Sequence, residues 1–415
     1  MEKSSIQRDP VTSIVSLDAA LAPLIVFSDD WGRHPSSCQH LISRLLSRRQ
    51  VTWVNTIGTR PPRLNWSTLK RGVEKIRQWT GFSSDSKLEV KGSSSSSQDG
   101  PNSPNPLILN PRMWPSFRSS FARGLNRRLL TRSLKPIAET GSSAPVVITT
   151  LPLMADVVGQ FRAVRWVYYC VDDFSVWPGL DGRTMLNMES ELVAKVDVAI
   201  AVSETLQTHL KKLGKSAHLL THGVDLDFWR TAPDETKKPS WLDQLEKLGG
   251  PLIVFWGVVD RRLDLEFVKA LGETLTDGVI LFVGPQDNPE PELFQIPRVK
   301  FFPALPYEDL PYLAARTTVF IAPYADLPVT RAMQPLKLKE YIATGKPVVV
   351  RKLPATESWS DCADVADTAA AFAAAVLERL KSGVPVEQRL ARKRLEAEGW
   401  DAKAETFERW IEGNE

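Results

Sequence analysis

Gln334-Pro335-Leu336-Lys337-Leu338-Lys339-Glu340-Tyr341-Ile342-Ala343-Thr344-Gly345-Lys346-Pro347-Val348-Val349 reads as a helix aimed at a ligand and followed at once by a strand. Proline suits the first helical position, so the helix is predicted to start at Pro335, and Gly345 supplies the C′ residue that ends it. Upstream, Val319 to Ala322 forms a strand and a polar loop leads back into the helix. The helix N-terminus is therefore predicted to face a cleft, where free N–H groups and the helix dipole suit a diphosphate. Lys337 would add a full positive charge there. Glu340 lies almost one turn further, on a neighbouring face, where its carboxylate can accept hydrogen bonds from two adjacent ribose hydroxyls. An exposed i,i+3 ion pair between the two is the alternative reading.

The rhythm of short apolar strands and amphipathic helices extends outward from this run. Leu252-Ile253-Val254-Phe255-Trp256-Gly257, Val279 to Val283, Val299 to Phe302 and Pro347 to Val350 belong to its own series. An earlier series comprises Leu24 to Phe27, Val51 to Val54, Val146 to Ile148, Trp166 to Tyr169, Val198 to Val202 and Ala217 to Thr221. Helices are predicted over Cys38 to Ser47, over Leu69 to Trp79 and, capped by Ser203, over Glu204 to Leu213. Such alternation marks parallel βαβ units. The expected fold class is α/β, with two Rossmann-like lobes facing across a cleft. The polar segment Thr231 to Lys238 divides them into residues 1–230 and 231–385, and a charged helix, Val386 to Ile411, occupies the tail 386–415. Ser83 to Pro106 is too polar to offset its ordering entropy and is expected to be a disordered insertion in the first lobe. In such sheets ligands bind beyond the C-terminal strand ends.

Composition excludes other chemistry. Cys38, Cys170 and Cys362 are odd in number and far apart, offering neither a disulfide framework nor a metal knuckle. The first 23 residues lack a signal-peptide core, and no apolar run approaches the ~18 residues of a spanning helix. A cytoplasmic protein is expected, peripheral on the inner face of a membrane at most. A net charge of +3 is too small to argue for nucleic acid. Pro106 to Ala138, however, holds Arg112, Arg118, Arg123, Arg127, Arg128, Arg132 and Lys135 with no acidic residue. Such a patch attracts phosphate or an anionic membrane surface, with a solvated basic helix as the plain alternative. There is no dinucleotide fingerprint, Walker loop, zinc helix or nucleophile elbow.

These runs together resemble the GT-B glycosyltransferases, particularly those related to glycosyltransferase family 4 and bacterial polysaccharide-biosynthesis enzymes. Pro335 to Val349 resembles their donor-binding element. Glu191 to Val198, His222-Gly223-Val224-Asp225, Leu281 to Pro285 and Phe301 to Leu310 extend the resemblance, in order, over about Leu24 to Ser358. The resemblance implies a second lobe that binds a nucleoside diphosphate sugar and a first lobe that binds the acceptor. Glu340 matches the ribose-binding glutamate. Lys337 and the amides around it, Leu338 included, match the phosphate-binding helix start. Gly257 ends the strand where the family brings backbone close to phosphate, and Arg262, favoured over Arg261, is the nearby cation; a solvated turn arginine is the alternative. Ala332 departs from the pattern, because retaining members carry a second glutamate there. Its absence implies inverting chemistry or a substitute contact from Asp326 or Arg331.

Inversion needs a carboxylate or histidine in the first lobe to take the acceptor's proton. Asp29, Asp30 and His34 follow the first strand; Asp172 and Asp173 follow Tyr168-Tyr169-Cys170-Val171. Paired aspartates in a partly dry cleft push one pKa upward, so Asp172 and Asp173 rank first and His34 next, with capping or turn roles as the alternative. Asp225-Leu226-Asp227 has the form of a metal motif but sits in the inter-lobe connection, so no metal and no obligatory cofactor are expected. The expected activity is transfer from a nucleoside diphosphate sugar, uridine-linked, to a glycan or lipid-linked acceptor. A sugar-nucleotide epimerase and a non-catalytic glycan-assembly partner are the rivals.

Overall fold

Short runs rich in β-branched and aromatic residues, two to six long and buried on both faces at the sheet centres, build two parallel sheets. The computed structural model describes residues 21–32, 35–56, 104–140 and 143–414. His34, the helix expected over Leu69 to Trp79 and nearly all of Ser83 to Pro106 lie outside the described residues. The first sheet contains β1 (Leu24–Ser28), β2 (Val51–Asn55), β3 (Leu107–Leu109), β4 (Val146–Thr149), β5 (Arg165–Cys170), β6 (Val198–Ala201) and β7 (His218–Leu219). Then follow β8 (Leu252–Trp256), β9 (Val259–Asp260), β10 (Val279–Val283), β11 (Gln286–Asp287), β12 (Val299–Phe302), β13 (Val319–Ala322), β14 (Val348–Arg351) and β15 (Asp364–Ala366).

The strand orders are β3-β2-β1-β4-β5-β6-β7 and β12-β10-β8-β13-β14-β15, with β9 and β11 paired separately. Each sheet starts at its centre, winds to one edge, returns and winds to the other, which is the doubly wound order of dinucleotide-binding folds. The reversals fall between β1 and β4, where Phe27 pairs with Thr149, and between β8 and β13, where Val254 pairs with Phe320. Crevices open beyond the C-terminal ends of those strands.

The expected single helix over Val386 to Ile411 is instead a helix (Val386–Ala391), a 3-10 segment (Arg392–Glu398) and a second helix (Trp400–Glu412). The break at Gly399, whose backbone is extended, turns the chain towards the first lobe. Trp400, Ala404, Phe407 and Ile411 then enter that lobe's core, at the spacing of one helix face. Arg49 of the first lobe pairs with Glu408 at 2.6 Å and with Glu412.

A second tie lies behind the helix Leu336–Ala343. Lys339 is 2% exposed, donates to the carbonyl of His222 and pairs with Glu398 at 2.5 Å. Burial lowers the Lys339 pKa to about 8, with Glu398 opposing that shift. Glu398→Ala should therefore leave a buried ammonium short of its acid and cost about 3 kcal/mol of stability. Denaturant titration measures this, and adding Lys339→Met to the same chain should recover much of the loss.

Candidate active site

A cavity of about 490 Å³ occupies the space between the two crevices. Asp29 and Asp30 reach it from the end of β1, Asp172 and Phe174 from the end of β5, and His222 from the inter-lobe connection. Across from them stand Arg262, Tyr324 and the helix start at Pro335, Leu336 and Lys337.

The second-lobe wall is arranged for anions. Gly257 closes β8 with φ of 137°, and Gly284 closes β10 with φ of 147°, a region that disfavours side chains. A Cβ on Gly257 would fall on the Lys337 ammonium, and one on Gly284 would fall on the Gly257 carbonyl. The backbone thus stays low and the cation lies directly over it. Lys337 Nζ donates to the Tyr324 hydroxyl at 2.8 Å and sits 4.8 Å from the Phe255 ring centroid. Its hydrogen-bond partner is thus a neutral hydroxyl. The helix starts at Leu336 with Pro335 as its N-cap, one residue later than the sequence suggested.

Glu340 is set in an aromatic recess. Trp256 Nε1 and the Tyr307 hydroxyl each donate to its carboxylate at 3.4 Å. Trp256 stacks on Trp229 at 5.3 Å, and Tyr307 stacks on Phe228 at 4.8 Å. Burial raises the Glu340 pKa to about 7, with Lys337 pulling the other way. Both hydrogen bonds are long for their types, so the carboxylate can exchange them for shorter bonds to a ligand's hydroxyls.

Arg262 also reaches the cleft, but it has partners. Its Nε lies 3.0 Å from both oxygens of Asp260, and its guanidinium stands 5.0 Å from the centroid of Trp177 on the opposite lobe. Arg261 is exposed, with Glu290 at 3.5 Å.

On the first lobe the two neighbouring aspartates separate in role. Asp173 accepts from Ser175 N at 3.0 Å and Ser175 Oγ at 2.5 Å, the geometry of a turn cap. Asp172 lines the cavity; burial raises its pKa to about 7, Arg262 opposes the shift and Asp173 adds to it. Asp29 accepts from Ser28 at 2.9 Å and from Ser36 and Gln39 at 3.4 Å, so its oxygens are more heavily engaged.

Residues 250–382, the body of the second lobe, match the family described as glycosyl transferases group 1. The putative teichuronic acid biosynthesis glycosyltransferase TuaH of Bacillus subtilis (strain 168) is 27% identical over 185 residues, which is 42% of this chain and 45% of that relative's length. Solved structures align over nearly the whole chain. Sucrose-phosphate synthase from Thermosynechococcus elongatus covers 94% of this chain and 98% of its own, with TM-score 0.66 and 15% identity. Anabaena Alr3699/HepE in complex with UDP and glucose covers 95% and 100%, with TM-score 0.62 and 14% identity. The fold is GT-B.

Within this GT-B frame, Gly257, Arg262, Lys337 and Asp172 gather at one cleft, with Glu340 in the adjoining recess. Leu338 does not join them. Its side chain is 1% exposed in the second core and its amide already donates to Pro335 O at 3.2 Å, so it offers a ligand nothing. Asp173 is turned into its own loop, and His34 is not described. Ala332 is buried where the lobes meet, and its carbonyl accepts from Ser203 Oγ at 2.7 Å. Asp326 and Arg331 pair with each other at 2.9 Å on the surface. Asp225 caps the helix Leu226–Arg230 by accepting from Phe228 N at 3.0 Å.

Several features gave no sequence signal. Tyr307 donates to Glu340, Tyr324 accepts from Lys337, and Trp177 faces Arg262. Glu189, 1% exposed, accepts from the Tyr168 hydroxyl at 2.6 Å and lies 2.8 Å from His209 Nε2. Among the described residues, Asp173, Glu189 and His209 bring ligand-type atoms within 4.8 Å of one another. The hydrogen bond to Glu189 raises the His209 pKa, which favours an ion pair bracing the β5 loop.

Proposed function

We propose that this chain transfers a sugar from a nucleoside diphosphate sugar, uridine-linked, to a hydroxyl of a glycan or lipid-linked acceptor. The observation that supports this most is the opposition of a cation on low backbone, Lys337 over Gly257, to a cleft carboxylate, Asp172, across the inter-lobe space. In this reading Glu340 holds the ribose hydroxyls. Lys337, the amides of Leu336 and Lys337, and Arg262 hold the diphosphate. The acceptor oxygen attacks the anomeric carbon as its bond to the β-phosphate oxygen breaks. Asp172 takes the acceptor's proton, and the departing diphosphate's new negative charge is met by Lys337 and Arg262. With Ala332 where a retaining enzyme has its second glutamate, the displacement inverts the anomeric centre. UDP-bound HepE supports uridine as the base. A thermal-shift screen of nucleoside diphosphates tests this: UDP should raise the midpoint more than ADP or GDP, and no shift with any of them counts against the reading.

The acceptor lobe's basic helix supports work at an anionic membrane surface. No described helix is long and apolar enough to cross a membrane. Phe121 is 78% exposed and Trp114 43% exposed, and buried Asn126 ties the Trp114 loop to the helix Ser120–Thr140 through bonds to Trp114 N and O. Arg127, Arg128 and Arg132 are exposed. Arg123 is not part of this surface charge, because Asp156 and Glu191 hold it, and Arg118 pairs with Asp181 at 2.8 Å. Near-surface basic residues contribute about 1 kcal/mol each, and aromatic rings settle at the interface. Replacing Arg127, Arg128 and Arg132 by glutamate should therefore cut binding to phosphatidylserine vesicles by more than about a hundredfold at low salt. Wild-type protein that ignores such vesicles would refute the membrane assignment and leave the transferase reading standing.

A further inference from the structure

Trp177 stands in the loop that follows β5 and carries Asp172. Among the described residues it belongs to neither hydrophobic core. Its ring meets Phe174, with centroids 6.4 Å apart, and the guanidinium of Arg262 from the opposite lobe, at 5.0 Å. Phe174 and Arg262 both line the cleft, and the Arg262 side chain is only 12% exposed. An indole on the acceptor lobe is thus covered by a donor-lobe cation.

Asp260 anchors one edge of the Arg262 guanidinium from its own lobe, through Nε at 3.0 Å from both carboxylate oxygens, and the two partners open to the rest of the group differ in strength. An aromatic face attracts a guanidinium through its quadrupole. A diphosphate offers full charges to the guanidinium N–H groups that Asp260 leaves free, which is stronger. Once Arg262 turns to the diphosphate, the indole is left bare next to Phe174, which lines the cleft together with Asp172. A bare indole is a broad apolar surface with a polar edge, complementary to the C–H face of a pyranose ring whose hydroxyls point outward.

Resting on the donor reading above, we propose that Arg262 covers Trp177 in the empty protein, and that the donor diphosphate draws Arg262 away to open Trp177 as the stacking platform for the acceptor sugar. Binding is then ordered, donor before acceptor. The acceptor class is a pyranose with an exposed apolar face, and Trp177 positions its hydroxyl for Asp172.

Acrylamide quenching of tryptophan fluorescence tests the gate. Adding UDP to wild type should increase quenching, and that increment should be missing from Trp177→Phe, which removes the fluorophore but keeps a ring. Methyl hexosides should reverse the increment only when UDP is present. Trp177→Leu should bind UDP about two- to fivefold more tightly by calorimetry, since Arg262 no longer leaves an aromatic partner. If UDP binds but the increment persists in Trp177→Phe, or Trp177→Leu leaves the affinity unchanged, the gate is wrong and the donor site stands. If the gate opens but no methyl hexoside reverses it, the platform role is wrong. If UDP binds neither protein, the donor reading itself has failed.

Discussion

Glu340→Ala should weaken UDP binding by about tenfold to a hundredfold, the worth of a charge-assisted hydrogen bond of roughly 1.5–3 kcal/mol, without unfolding the second lobe. The carboxylate is held only by two bonds of 3.4 Å, from Trp256 and Tyr307, so its removal leaves no strongly bonded partner stranded. The surrounding stack of Trp229, Trp256, Tyr307 and Phe228 keeps the recess intact. The carboxylate form is the one that accepts ribose hydroxyls, and burial raises its pKa to about 7. Affinity in wild type should therefore rise as pH increases through about 7 and fall below it, and the Glu340→Ala protein should lack that dependence. Lys337→Ala should also lower affinity, but by removing charge, and its loss should shrink as salt rises. Calorimetric titration across pH and salt separates the two. Equal UDP affinity in wild type and both variants would remove the donor site as drawn.

Asp172→Asn should reduce transfer by about a hundredfold to ten-thousandfold, the range of general-base contributions, while leaving UDP affinity nearly unchanged. The amide keeps the shape of the side chain but cannot take a proton. Burial raises the Asp172 pKa to about 7, and the nearby Arg262 and Asp173 act in opposite senses on it. Only the ionised form serves as base, so the wild-type rate should climb with pH through about 7 and then level. The same raised pKa makes a stability statement. The folded state binds the proton more tightly than the unfolded chain, so this group's contribution is present below about pH 4 and is lost as pH rises towards 7. Asp173→Asn should disturb the Ser175 turn and cost far less activity. If the Asp173 variant were the inactive one, the two roles would be reversed.

The fold was legible because each strand is a short, doubly buried apolar run that a parallel sheet demands, and because Ser203 and Gly345 mark helix ends by local chemistry. Edge strands β3 and β15, three residues each, are too short to carry a pattern. The tail deceived because charge and periodicity suggested one helix, whereas burying Trp400 and Phe407 in the first lobe required a turn at Gly399. At the site, the placement of Lys337, Glu340 and Gly257 on the second-lobe wall was legible because a helix start, a carboxylate one turn on and a strand-ending glycine each have local signatures. Asp172 and Asp173 could not be told apart, since only the β5 loop's geometry turns one to the cleft and the other to Ser175. Leu338 has only its position at the helix start to suggest a ligand contact, and the 3-10 bond from its amide to Pro335 is invisible in sequence. Tyr307, Trp177 and the Glu189–His209 pair act through contacts between residues 20 or more positions apart, which no local pattern encodes.

The most direct test is to incubate the protein with a panel of UDP-hexoses and a membrane lipid extract, following both released UDP and the fate of the labelled sugar. Glycosyl transfer predicts UDP release with one sugar, the label moving into the lipid or glycan fraction with inverted anomeric configuration, and both signals lost in Asp172→Asn. UDP that binds with no release from any donor, or a UDP-sugar converted to its epimer with the label still on the nucleotide, would contradict it.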